Sequence, residues 1–274
     1  MYAPLRHLAD AFAGFEQWPD LVDYESFLET WPEAITTLAG KPLSIVAQDG
    51  RPGSFEEHYA PRIYKTGEIQ TRRQNWHDFF QYLTWFMFPR AKAVINSMHV
   101  PYARARLESG HAQGHRSAME NLLSLFDEGG ALIVSSEPLL LQLIREFKWK
   151  ELFWQRRNEI PHNLACITFG HAMYEKGLAS YLGMTANAIL IATDASFFSK
   201  TNQQQLQWLD DKLAAWFRDG DVLTQPGDLQ PFPVLGMPGW DERNADECYY
   251  DNQAYFRPGR KGNRQVTILN ANDC

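Results

Sequence analysis

A helix-rich α+β fold in a single compact domain is what this sequence predicts, and three observations carry the prediction. Apolar stripes at helical spacing outnumber the runs that read as strands. The strand-like runs are short, about four to six residues each, and an irregular segment rich in proline, glycine and aromatics follows them. No internal repeat, low-complexity tract or Ser/Gly linker divides the 274 residues. A three-layer α/β sandwich is the rival architecture.

In chain order, residues 1–40 read as short helices broken at Trp18-Pro19 and Trp31-Pro32, and Leu43 to Val46 as a strand. Asn75 to Met87 is a helix, since Trp76, Phe79, Phe80, Leu83 and Met87 recur at helical spacing. Tyr82, Trp85 and Phe86 make its other side apolar too, so it belongs in a core. Helices follow over Arg90–Met98 and Arg116–Leu125, and Asp127-Glu128-Gly129-Gly130 reads as a turn into a strand over Ala131–Val134. Ser136 is the expected N-cap of a helix over Glu137–Trp149, with Pro138 in its first turn. Leu164–Phe169 is a strand, Gly170–Leu178 a helix and Ala188–Ala192 a buried strand. Thr201 caps a helix that presents Leu206, Leu209, Leu213, Trp216 and Phe217 and stops at Gly220. Beyond Asp221 prolines and aromatics dominate, with one strand expected over Gln265–Leu269.

Composition narrows the class. With 45% hydrophobic and 22% charged residues the chain is globular, and no apolar run approaches the roughly 18 to 20 residues of a membrane span. The N-terminus lacks a signal-peptide layout, so a cytoplasmic location is expected. Cys166, Cys248 and Cys274 are too few and scattered for a disulfide framework or a zinc cage. The net charge of −7 disfavours a general nucleic-acid binder. Yet Lys65–Arg116 holds eight basic residues against three acidic ones, and four histidines, His77, His99, His111 and His115. That window suits an anionic partner, or else a solvated surface facing acidic segments.

Three groups could carry chemistry. His77, Gln81 and Thr84 form a polar stripe on the apolar helix, with Asn75 and Asp78 near its start. There His77 is a general base or metal ligand, or a core histidine satisfied by hydrogen bonds, with Asn75 as the N-cap. Asp127 and Glu128 stand at a helix-to-strand corner, where carboxylates hold a divalent cation, move a proton or solvate a turn. His171 and Glu175, at i and i+4, share a helical face beside Lys176, and suit a His–carboxylate dyad as well as an ordinary helical pair. His171 falls in the first helical turn, where backbone N–H groups favour anions. No P-loop, G-x-G-x-x-G, G-x-S-x-G or C-x-x-C is present, which removes support for P-loop hydrolysis, Rossmann cofactors and common serine-hydrolase mechanisms.

Five strings occur in order: Thr71-Arg72-x-x-Asn75-Trp76-His77-Asp78-Phe79, Phe88-Pro89-Arg90-x-Lys92, Leu125-Phe126-Asp127-Glu128-x-Gly130, Phe169-Gly170-His171-Ala172-x-x-Glu175-Lys176 and Pro233-Val234-Leu235-Gly236-x-Pro238-Gly239-Trp240. Together, from about Tyr59 to Arg257, they resemble the bacterial family called domain of unknown function 3025. The resemblance implies a single-domain cytoplasmic protein and supplies no mechanism. Asn121 and Gln81 depart from the family pattern, where an aspartate and an asparagine are common; Asn121 cannot serve as a base. The domain reading is residues 1–58 as a helical extension, 59–257 as the family-like core and 258–274 as a tail.

Two functions follow from these residues. In the first, the chain is a hydrolase-type enzyme in which His77, Asp78, Asp127, Glu128, His171 and Glu175 do acid–base chemistry, with or without a divalent metal. Arg72, Arg73, Arg90 and Lys176 then receive an anionic, phosphate-containing substrate. In the second, it is a non-catalytic binder of an anionic small molecule or nucleic acid, with aromatic rings stacking on the ligand.

Overall fold

Capping chemistry decides where several helices begin, and the computed structural model shows it over residues 1–48, 50, 52, 54–108, 116–259 and 265–271. The helices are α1 (Arg6–Phe12), α2 (Leu21–Thr30), α3 (Tyr59–Thr66), α4 (Trp76–Met87), α5 (Pro89–Glu108), α6 (Ala118–Gly129), α7 (Pro138–Arg145), α8 (Ile160–Asn163), α9 (His171–Gly177) and α10 (Asn202–Asp219). The strands are β1 (Ser44–Ala47), β2 (Glu68–Thr71), β3 (Gly130–Ser135), β4 (Leu164–Thr168), β5 (Thr185–Ala192), β6 (Gln230–Pro233) and β7 (Ile268–Asn270). This is the expected α+β class, rich in helix with small sheets of short strands. No described helix is long and apolar enough to cross a membrane.

Asp20, directly after the Trp18-Pro19 break, caps α2 by accepting from Val22 and Asp23 N–H, and Asp23 returns the bond to its backbone. Asn75 caps α4 as expected, its Oδ1 3.0 Å from the Asp78 nitrogen. Ser117 and Glu120 form a reciprocal capping box on α6, as do Thr201 and Gln204 on α10.

Elsewhere the local signals mislead. Ser136 is not the cap of α7: the neighbouring Ser135 hydroxyl accepts from Glu137 N–H and donates to the Asn163 carbonyl. That helix stops at Arg145 rather than Trp149, because Phe147 enters the left-handed region at φ 59 and closes the end. Its N–H bonds Ile144 O and the Lys148 N–H bonds Leu143 O, the Schellman pattern that usually carries glycine. A bulky side chain there costs on the order of 1 to 2 kcal/mol. α5 runs ten residues past its expected end at Met98 and takes Pro101 inside it. α6 extends to Gly129, so Asp127 and Glu128 lie in its last turn and not in a loop.

The chain packs as two units. The helical unit takes residues 2–123 and 206–224; the sheet unit takes residue 1, 124–205 and 225–274. In the helical unit β1 and β2 pair in parallel, and α1, α2 and α4 meet through rings, Phe12 edge-on to Phe79 at 5.3 Å and to Phe27 at 5.0 Å. Tyr82, wholly buried, donates its hydroxyl to the Tyr24 carbonyl. The aspartate Asp210 of α10 accepts from the Arg90 and Ala91 N–H groups at the start of α5.

In the sheet unit the order is β4-β3-β5-β6, with β7 also on β5. β3 is buried at every residue and pairs antiparallel to β4 and parallel to β5, which accounts for its unbroken apolar sequence. α7 covers the sheet with Leu140, Leu141, Leu143 and Ile144, joined by Trp149 and Phe153. Cys166 is a core thiol, pushed up to about 12 by burial, and Cys248 is exposed. His111, His115 and Cys274 lie outside the described residues.

Candidate functional site

The register of β3 with β4, Ala131 opposite Thr168, brings the end of α6 against the start of α9. The Phe169 and Gly170 N–H groups both donate to the Gly130 carbonyl, at 3.0 and 2.9 Å. A Cβ on Gly170 would stand 2.4 Å from the Glu128 carbonyl oxygen, and one on Gly130 2.3 Å from that of Phe126. Both positions therefore require glycine. Phe126 and Phe169 stack with centroids 4.6 Å apart, and Tyr174 donates to the Thr168 carbonyl, folding α9 back onto its strand.

This corner joins two of the five sequence strings, and it places Asp127 Oδ2 3.8 Å from His171 Nδ1. His171 is 2% exposed and Asp127 16%. The separation is longer than a hydrogen bond. The carboxylate facing His171 across the corner thus comes from a separate segment of the chain. Glu128 and Lys176 are exposed and Glu175 partly so. At seven residues α9 is too short for its N-terminal field to matter much.

In the helical unit, Asp78 is buried and holds Arg72 by three bonds, from the backbone nitrogen at 2.7 Å, Nε at 2.9 Å and Nη2 at 2.8 Å. The intervening turn takes Gln74 through φ 51. Arg73 is exposed and His77 half-buried. The Thr84 hydroxyl donates to the Gln81 carbonyl. Arg90 pairs through its guanidinium with Asp211 while its N–H bonds Asp210. Arg72 and Arg90, two of the arginines expected to meet substrate, are thereby engaged with carboxylates of their own unit.

The predicted residues therefore divide. Arg72, Arg73, His77, Asp78 and Arg90 belong to the helical unit, and Asp127, Glu128, His171, Glu175 and Lys176 to the sheet unit. Among the described residues no three His, Cys, Asp or Glu side chains gather in a group able to hold a metal ion.

Among the described residues Lys92, Glu120, Asp210 and Asp228 are buried charges to which the sequence reading gave no role, and two of them stand out. Asp210 is 2% exposed, and burial pushes its carboxyl up to about 6 against the opposing pull of two N–H bonds and Arg90. Lys92 is 3% exposed, its ammonium 5.5 Å from the centre of the Trp85 ring. Both signals were legible: Asp210 shares the face of Leu206, Leu209 and Leu213, and Lys92 interrupts an apolar helix start.

Fold and corner define an α+β protein whose separate sequence strings converge on a glycine-braced His–carboxylate pair. The chain belongs to the family described as protein of unknown function (DUF3025), whose model matches residues 43–260. Comparison with curated proteins and with solved structures gives no match.

Proposed function

We propose that this protein is a hydrolase-type enzyme acting on an anionic, phosphate-containing substrate, with Asp127 and His171 as its acid–base pair. The observation that carries the reading is the meeting of those two side chains at a corner whose backbone segments approach so closely that Gly130 and Gly170 are required. An imidazole accepts a proton from water or a substrate hydroxyl, and a neighbouring carboxylate stabilises the imidazolium that results. A separation of 3.8 Å is of the kind that closes when a substrate arrives. Glu128, Glu175 and Lys176 stand nearest in sequence to the pair and supply further charge for substrate contact. Arg73 and His77 belong to the helical unit, and in the same unit Asp78, Arg72 and Arg90 are bonded to one another or to Asp211.

The test is turnover of p-nitrophenyl phosphate and bis-p-nitrophenyl phosphate by the purified full chain, with and without added divalent cations. Asp127→Asn and His171→Gln are expected to lower a detected activity at least 100-fold while circular dichroism shows retained fold. Activity that survives both substitutions would sink the assignment. Salt-sensitive anion binding with no turnover would favour the non-catalytic binder instead.

A further inference from the structure

We infer that a groove in the sheet unit, between the end of α7 and the prolines of β6, is a binding site for a flat aromatic carboxylate. The groove encloses about 480 Å³, within the range of small-molecule sites. Its walls include Phe147, Trp149, Tyr255, Pro231 and Pro233, and Arg257 is the one charged residue among the described residues that line it. Among the described residues that line it none is acidic, so the charge of Arg257 complements an anion.

The polar atoms of the walls are mostly engaged within the fold. Trp149 Nε1 donates to the Arg257 carbonyl at 2.8 Å. The Tyr255 hydroxyl donates to Met184 O and accepts from Leu235 N–H, and the Thr185 hydroxyl donates to Gly183 O. Arg257 uses Nε on the Ala254 carbonyl at 3.0 Å, which ties its guanidinium to the segment that lines the groove. What the groove offers a ligand is therefore ring and proline surface with a guanidinium at one side, which matches an aromatic body bearing a carboxylate. An extended peptide fits less well. Pro231 and Pro233 have no N–H to give to an added strand at the β6 edge.

A second observation points the same way. Phe147 holds the left-handed conformation that glycine would adopt without strain, while Gly259, facing it, sits where a Cβ would come within 2.6 Å of the Phe147 ring. The bulky residue stands where the backbone favours glycine, and the glycine makes room for its ring. Strain of this kind is concentrated at sites that bind. Here it sets Phe147 edge-on to Trp149 at 5.6 Å, forming one wall of the groove.

Titration calorimetry of the full chain with 2-naphthoate, and with neutral 2-naphthylmethanol, tests this. Binding of 2-naphthoate is expected, with Arg257→Gln weakening it at least tenfold and leaving the alcohol unaffected. Phe147→Gly should weaken both ligands without lowering the thermal midpoint, and Ala254→Trp, at an exposed position, should block both by filling the groove. Asp127→Asn should bind as the parent does, which separates this site from the acid–base pair. No heat at millimolar naphthoate, or binding indifferent to both Arg257→Gln and Ala254→Trp, would overturn the proposal.

Discussion

Asp210 lies one position past Leu209 on the buried face of α10, and its two oxygens bond the Arg90 and Ala91 nitrogens. Its carboxyl is raised to about 6 from an ordinary 3.8, with burial outweighing those bonds. Below about pH 4 the group is protonated in both folded and unfolded chains and costs nothing. As pH rises from about 4 to 6 the unfolded chain releases the proton while the folded one still holds it, so stability falls, and above 6 the loss is complete. The full effect is on the order of 3 kcal/mol. Urea unfolding of the parent and Asp210→Asn at several pH values should show the parent losing ground to the variant between pH 4 and 7. Parallel pH profiles would remove the assignment. That Asp210 matters was visible as a carboxylate in an apolar stripe. What it bonds was not, because its partners lie about 120 positions away in sequence.

At the level of the element, α5 shows where sequence signals compete. Pro101 argues for a stop, and the helix nevertheless continues to Glu108, since its first turns are held by buried Ala91, Val94 and Ile95 and by Asp210 at its start. The missing N–H and the ring clash remain as a cost of up to about 3 kcal/mol. Pro101→Ala, at an exposed position, should therefore raise the thermal midpoint; an unchanged or lower midpoint would mean that the helix bends there to its advantage. Strands were legible when buried and apolar, as β3, β4 and β5 are. β2, with the sequence Glu-Ile-Gln-Thr, and β6, with two prolines, gave no such signal because each lies at a sheet edge or in a two-stranded pair. Asp127 and His171 were each singled out in the sequence. Their meeting was not, because it depends on the register of β3 against β4.

For the whole molecule, the main fact is that the helical unit is assembled from residues 2–123 and 206–224, with the sheet unit's 124–205 between them. Hydrogen exchange followed by mass spectrometry should find peptides from 206–224 gaining protection together with α4 and α5, at one free energy of opening. Exchange of 206–224 in step with β3 and β5 would contradict this division. The same interrupted order bears on synthesis. At roughly 5 to 20 residues per second, a nascent chain that has delivered α5 waits several seconds for Leu209, Asp210 and Leu213 to emerge. Through that interval the start of α5 lacks its buried carboxylate and the apolar face awaiting α10 is open to water. The ribosome-bound chain is thus a natural client for a holding chaperone until residue 224 has cleared the exit tunnel.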